Sequence, residues 1–135
     1  MLTSNRTVRQ TFMRIFCLGL ILATVLSLPS QAADISGKWV FSVDIETGSH
    51  GDPTFVLKQQ KGKLTGTYLG PLGEKPVSGT VAGTQATFGF SMERDGQPVK
   101  VTYTARIDSP IRMSGTVKFE SPDGVGQGKW TAVKQ

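Results

Sequence analysis

Polar and apolar residues alternate along most of the chain from residue 38 onward, and glycine, proline or Asp-Gly pairs interrupt the alternation at short intervals. Alternation with a period of two is typical of strands that bury one face. No segment after residue 32 shows the periodicity of an amphipathic helix. The pattern therefore predicts eight strands, at residues 38–45, 54–60, 63–69, 76–81, 85–92, 99–107, 112–119 and 128–133.

The connections between the predicted strands are short, as at 60–63, 82–84 and 94–97. Short connections join antiparallel neighbours, and eight strands are enough to close a small barrel. We therefore expect an all-β fold, an antiparallel eight-stranded up-and-down barrel. One face of the predicted strands is apolar and is expected to fill the barrel: Trp39, Phe41, Val43, Ile45, Phe55, Leu57, Leu64, Tyr68, Val77, Val81, Phe88, Phe90, Met92, Val99, Val101, Tyr103, Ala105, Ile107, Met113, Val117, Phe119, Trp130 and Ala132.

A short pattern of an apolar residue, a hydroxyl residue, glycine, threonine and an apolar residue occurs three times, at 64–68, 77–81 and 113–117. Its glycine falls on the same face as the two apolar residues. A glycine inside a strand permits a bend or a close approach of two backbones. We expect these glycines to lie on the inner wall of the barrel.

The first 32 residues have the composition of a targeting segment. Three arginines precede an apolar run at 15–28, which small residues follow. A basic region, an apolar stretch of about 7–15 residues and a small-residue cleavage site form a secretory signal peptide. Cleavage after Ala32 places small residues at both recognition positions. The apolar run is shorter than the roughly 20 residues that span a bilayer. We therefore expect a signal peptide at 1–32, one β-barrel domain at 33–135, a periplasmic or secreted location and no stable membrane anchor.

The predicted signal peptide also changes the charge and cysteine counts. The whole chain has 15 basic and 10 acidic residues, a formal net charge of +5. Three of the basic residues and none of the acidic ones lie in 1–32, so the remainder carries +2. A charge this small gives little support to nucleic-acid binding, and no nucleic-acid partner is expected. The single cysteine, Cys17, lies in the signal, so we expect no disulfide and no thiol chemistry afterwards.

Two Gly-Lys-Trp segments, at 37–39 and 128–130, resemble the Gly-x-Trp opening strand and the Trp-bearing closing strand of the lipocalins and avidins. In that group the first tryptophan plugs one end of the barrel. The resemblance implies a calycin-like barrel in which Gly37, Trp39 and Trp130 form a structural plug. The chain also resembles small secreted bacterial barrel domains of unknown function.

The segment 62–68 is similar to the third strand of streptavidin-like proteins. The resemblance implies that Tyr68 contacts a ligand, since a matching tyrosine helps to bind the biotin head group in avidins. Phe41 replaces the polar residue that avidins carry two places after the first tryptophan, and their mid-chain tryptophans are absent. Biotin binding is therefore not expected.

A further resemblance covers residues 32–40, which are similar to the mature N-terminus of periplasmic inhibitors of bacterial metalloproteases. Those proteins are also small eight-stranded barrels, and they insert the N-terminal arm into the protease cleft. The resemblance implies an inhibitor that acts through its arm. The disulfide typical of that family is absent from this chain.

The only histidine, His50, lies in the longest polar loop, at 46–53. Glu46, His50 and Asp52 could hold a metal, or Ser49, His50 and Asp52 could form a proton relay. A relay depends on tertiary geometry that three near neighbours on one glycine-containing loop seldom reach. We predict no catalytic residue, no metal and no cofactor.

These observations favour a non-enzymatic barrel that binds a small ligand or a protein partner through its rim loops, at 46–53, 70–76, 93–98 and 120–127. Tyr68 and Tyr103 are the inward-facing aromatic residues with a polar tip, and with His50 they are the predicted ligand-binding residues. Two alternatives stay open. One is a periplasmic inhibitor of a secreted protease, and the other is a hydrolase or metal site in the loop from Glu46 to Asp52.

Overall fold

The computed structural model describes residues 33–135, and the predicted signal peptide at 1–32 lies outside the described residues. Each strand alternates buried and exposed side chains. In chain order the strands are β1 (Gly37–Ile45), β2 (His50–Gly51), β3 (Thr54–Gln60), β4 (Lys63–Gly70), β5 (Gly73–Ala82), β6 (Gln85–Arg94), β7 (Gln97–Ser109), β8 (Arg112–Ser121) and β9 (Gly124–Lys134). Within residues 33–135 no helix is long and apolar enough to cross a membrane.

The strands form one closed antiparallel sheet. Each of the long strands pairs with the next long strand in sequence, and β1 pairs with β9 from Trp39↔Lys134 to Ile45↔Gly128. That last pairing closes the sheet into a barrel of eight long strands, which confirms the predicted up-and-down fold. The two-residue strand β2 pairs only with Val43 and Asp44 at the end of β1. It was not predicted, because two residues are too few to show an alternating pattern.

The strands extend further toward the turns than the apolar pattern predicts. Strand β5 begins at Gly73 rather than at residue 76, and β9 begins at Gly124 rather than at residue 128. The added residues are mostly polar or glycine, but backbone pairing continues through them to two-residue hairpins such as Arg94↔Gln97. In that hairpin Asp95 and Gly96 both have positive φ, 53° and 79°. A turn with two successive positive φ angles has a backbone twist that matches the twist of the flanking strands, so the pairing between the strands can continue up to the turn.

The barrel interior is a single apolar core. The predicted inward face is buried at most positions, and Ile45, Met92 and Phe119 are partly buried. Aromatic rings fill the middle: the ring of Phe41 lies 4.4 Å from Phe55 and stacks on Trp130 at 4.5 Å, centroid to centroid. Apart from tyrosines and tryptophans, no residue with a polar or charged side chain is buried within 33–135. Burial of this apolar surface is the main force that stabilises the closed sheet.

The three repeated glycines face the interior where neighbouring strands come close. A Cβ atom built on Gly66 would overlap the carbonyl oxygen of Val56, and one on Gly115 would overlap that of Thr104. The same overlap occurs at Gly79 and also at Gly89, which lies outside the repeat. Only glycine fits at these positions, because the adjacent backbone occupies the space of a side chain. The glycines therefore let the strands bend around a narrow barrel.

The N-terminal segment covers one end of the barrel. Ile35 is fully buried, its N–H donates to Gln59 Oε1 at 3.0 Å, and its carbonyl accepts from Trp39 Nε1 at 3.0 Å. The Gln59 N–H donates to Ser36 Oγ at 3.0 Å. Trp39 is fully buried beside this segment. The hairpin turns at 60–63, 82–85 and 109–112 lie at this same end, because connections alternate between the two ends of an antiparallel meander.

Trp130, which the resemblance placed in the plug with Trp39, lies in the middle of the barrel instead. Trp130 pairs with Val43, whereas Trp39 pairs with Lys134, so the two tryptophans occupy different levels of the barrel. Trp130 belongs to the central aromatic cluster, and its Nε1 donates to the Thr116 carbonyl at 2.9 Å. At Gly37, with φ 134°, a Cβ atom would come within 2.7 Å of the Lys134 side chain. Gly37 therefore makes room for the Lys134 side chain at the closed end.

Candidate ligand-binding cavity

A cavity of about 550 Å³ lies at the end of the barrel opposite Trp39. The loop at 46–53 and the turns at 70–73, 94–97 and 121–124 all lie at this end, and residues from each line the cavity. The predicted rim segments therefore share one end. A volume of this size is within the roughly 300–1,000 Å³ of small-molecule sites.

The cavity wall is largely apolar. Three partly buried side chains, Ile45, Met92 and Phe119, are the inward-facing residues of strands near the rim, and a fourth, Leu72, comes from the turn between β4 and β5. Val43 and Val99 add buried apolar surface. The central rings of Phe41, Phe55, Phe88 and Trp130 do not line it. The cavity is thus open at the rim and is closed on its inner side by the aromatic core.

Both predicted tyrosines line this cavity, and each is only 3% exposed. The Tyr103 ring stacks on Phe88 with an interplanar angle of 1° and a centroid distance of 5.6 Å. Tyr68 packs against Phe90 at 4.6 Å and against Phe55 at 5.2 Å. Packing against the core fixes both rings, so the positions of their hydroxyl groups are set by the fold.

The two hydroxyl groups remain neutral at physiological pH. Burial raises the pKa of Tyr68, and the nearby Leu72 backbone N–H partly opposes that effect. Burial also raises the pKa of Tyr103, strongly, and the neighbouring Tyr68 adds to the rise. Loss of hydration disfavours the phenolate form. Each tyrosine therefore keeps its proton and can donate a hydrogen bond.

The Tyr103 hydroxyl makes no hydrogen bond within residues 33–135. In that part of the chain, every side-chain nitrogen or oxygen atom that is fully buried has a hydrogen-bond partner. The Tyr103 oxygen is therefore not sealed inside the core and must reach the cavity. Most buried polar side-chain atoms in folded proteins have a hydrogen-bond partner, so this hydroxyl is available to a molecule in the cavity.

His50 lies at the cavity rim between two carboxylates. Its Nδ1 is 2.7 Å from Asp44 Oδ1, and its Nε2 is 3.0 Å from Asp52 Oδ1. The hydrogen bond with Asp44 is the largest cause of a raised pKa for His50, and the charge of Asp52 is the next. Because both ring nitrogens face carboxylates, the imidazolium form is favoured. The cluster attaches the short strand β2 to the end of β1.

This geometry bears on the alternative chemistry of the loop. Neither ring nitrogen of His50 is free to accept a proton from Ser49, because one contacts Asp44 and the other contacts Asp52. Among residues 33–135 no group of three His, Cys, Asp or Glu side chains has a metal-binding arrangement.

The structure also places the N-terminal arm of the inhibitor alternative. Ile35 is buried against the closed end, and the Ala33 N–H donates to the Gly83 carbonyl at 3.3 Å. Insertion of this arm into a protease cleft would require these contacts to break. The arrangement does not favour that alternative.

Several cavity residues were not identified from the sequence. Met92 and Phe119 line the cavity but were assigned to the core, whereas Leu72 and Arg94 lie in predicted rim loops without having been named individually. The order of the connections along the chain could have identified the cavity-lining residues. In an up-and-down barrel, alternate turns share an end, so the last inward residue before each of those turns faces the same opening.

No protein-family model matches the sequence, and no curated protein matches it. Solved structures do match the fold. One is the mFAP2b barrel bound to DFHBI, with a TM-score of 0.59, 16% identity and coverage of 78% of this chain and 98% of that one. The chain shares the closed β-barrel fold of this protein.

Two further structures support the same conclusion. A fluorescence-activating β-barrel of de novo design matches with a TM-score of 0.53 and 18% identity, over 80% of this chain and all of the other. A redesigned β-barrel matches with a TM-score of 0.54 and 16% identity, over 81% and 99% of the two chains. At these identities the likeness extends to the fold alone.

Proposed function

We propose that this protein is a non-enzymatic, periplasmic or secreted barrel that binds a small, largely apolar molecule in the cavity at its open end. The observation that carries the proposal is the cavity of about 550 Å³ with an apolar wall and two tyrosines fixed by the core. Sites of this kind, apolar with a few placed polar groups, are typical of small-molecule binding. One barrel of similar fold is bound to DFHBI.

The binding test uses prodan, an uncharged naphthalene ketone whose emission changes in an apolar environment. Gly126 lines the cavity, and a Cβ atom built there would have no neighbour closer than 3.9 Å, at Phe119. Gly126→Leu should therefore fill part of the cavity without a backbone clash. We expect prodan to bind the wild-type barrel and to bind Gly126→Leu at least about 10-fold more weakly, since the added side chain occupies its site.

The matched control adds the same side chain to the outer wall. Thr87 is exposed on β6, so Thr87→Leu should leave prodan affinity unchanged. Equal affinity of prodan for the wild type and Gly126→Leu would place the binding elsewhere and would refute the cavity as the site. Native mass spectrometry of periplasmic material would then show whether a natural small molecule accompanies the barrel.

The proposed location rests on the residues before Ala33 and is tested separately. Expression of the full chain in a bacterium with a periplasm should yield a mature product that begins at Ala33. Ala32→Leu should hinder processing, because signal cleavage requires a small residue at that position. Recovery of the uncleaved wild-type chain in the cytoplasm would refute export.

A further inference from the structure

The charged groups of the cavity all lie at its rim. His50 is 48% exposed and paired with two carboxylates, and Arg94 and Asp123 are exposed on their turns. Deeper in the cavity, the buried lining residues are apolar side chains and the two tyrosines. A charged group placed there would lose its hydration without gaining a counter-ion. The inner half of the cavity therefore suits an uncharged part of a ligand.

The tyrosines define the polar chemistry at that depth. The Tyr103 hydroxyl has no partner within residues 33–135, and Tyr68 lies where the Leu72 backbone N–H can donate to its oxygen. An oxygen that accepts from Leu72 still has its own proton to donate. Two neutral O–H donors thus lie on the cavity wall, and neither donates to another group of the described chain. A ligand acceptor would take the place of water at a hydroxyl that the described chain itself leaves unpaired.

From this arrangement we infer that the ligand is an uncharged, largely apolar molecule with a carbonyl-type hydrogen-bond acceptor at the end that reaches Tyr103. The inference rests on the proposed function and adds to it the chemical class of the ligand. Tyr103 would donate to the acceptor, and Tyr68 would donate to it or to a second polar atom nearby.

The experiment compares two probes that differ in one group. Prodan has a ketone, and 2-(dimethylamino)naphthalene has the same ring system and amine without the ketone. Tyr103→Phe removes the donor but keeps the ring. We expect this variant to bind prodan about 3- to 10-fold more weakly, the range for one net hydrogen bond. It should bind the ketone-free probe within about 2-fold of the wild type, which also shows that the cavity is intact.

A third probe tests the charge requirement. The anionic 6-(dimethylamino)naphthalene-2-carboxylate should bind more weakly than prodan, and its affinity should not depend on Tyr103. An equal effect of Tyr103→Phe on the ketone and on the ketone-free probe would overturn the inference. So would a carboxylate that binds more tightly than the ketone and loses affinity in Tyr103→Phe.

The two levels of the proposal fail in different ways. If Gly126→Leu weakens all three probes while Tyr103→Phe acts on them equally, the cavity is a binding site but its ligand class is wrong. If Gly126→Leu weakens none of them, the proposed function itself is wrong.

Discussion

The substitution Trp39→Ala should remove much of the stability of the barrel. Trp39 is fully buried, and its Nε1 donates to the Ile35 carbonyl at 3.0 Å. Truncation of a buried tryptophan to alanine costs about 3–5 kcal/mol, and loss of the hydrogen bond adds about 1 kcal/mol. The total, about 4–6 kcal/mol, is a large part of the roughly 5–15 kcal/mol that keeps a small domain folded. Trp39→Phe keeps an aromatic ring and should cost about 1–2 kcal/mol.

Thermal unfolding followed by circular dichroism measures this effect. At about 4–8 °C per kcal/mol for a domain of this size, Trp39→Ala should lower the melting temperature by at least about 15 °C. Ile111, 54% exposed at the same end, provides the control, and Ile111→Ala should have little effect. Prodan affinity below the melting transition should stay near the wild-type value, because the central aromatic cluster separates Trp39 from the cavity. A melting temperature within about 5 °C of the wild type would refute the assignment of Trp39 to the closed end.

Three more substitutions test the remaining structure. Tyr103→Phe should leave the free energy of unfolding in denaturant unchanged or slightly raised, because its hydroxyl has no partner within the described chain; a loss above about 1 kcal/mol would contradict this. Gly115→Ala should destabilise the barrel by about 1–3 kcal/mol, because the added methyl group overlaps the neighbouring backbone, whereas Gly126→Ala should be nearly neutral. Equal melting temperatures of the two variants would contradict the close approach of the strands at Gly115. The imidazole of His50, the only histidine, should titrate in NMR above the ordinary 6.5, and Asp44→Asn should lower its pKa. Because the pKa of His50 is raised in the folded state, the stability that its ion pairs add is present below about pH 6.5 and is lost as pH rises through the folded value. An unshifted titration would refute the pairing of His50 with Asp44 and Asp52.

The alternating pattern was enough to predict the barrel because each long strand buries only one face. The position of Trp39, Phe41 and Val43 on the same side of β1 follows directly from a period of two. Strand ends were less predictable. Pairing at the turns depends on backbone geometry, such as the positive φ of Asp95 and Gly96, and the apolar pattern carries no record of it.

The site was predictable only in part. Tyr68 and Tyr103 could be named in advance, because a tyrosine on an inward face brings a polar tip into an apolar interior. The pairing of His50 with two carboxylates could not be predicted in full. Asp52 is close in sequence, but Asp44 comes into reach only when β2 folds back on β1, with Asp44 opposite His50. Nor does the sequence state how deeply the aromatic rings fill the barrel, which decides where the cavity ends.

The same interior serves stability and the proposed binding at different depths. At the closed end the polar groups that enter the barrel are satisfied by the protein, as the Trp39 indole is by the Ile35 carbonyl. At the open end the Tyr103 hydroxyl has no such partner within residues 33–135, although its ring packs as tightly against Phe88 as a core residue would. A phenylalanine would fill that position at least as well for folding alone. The contrast between the two ends is the physical reason to expect Trp39 to act on stability and to propose Tyr103 as a ligand-binding residue.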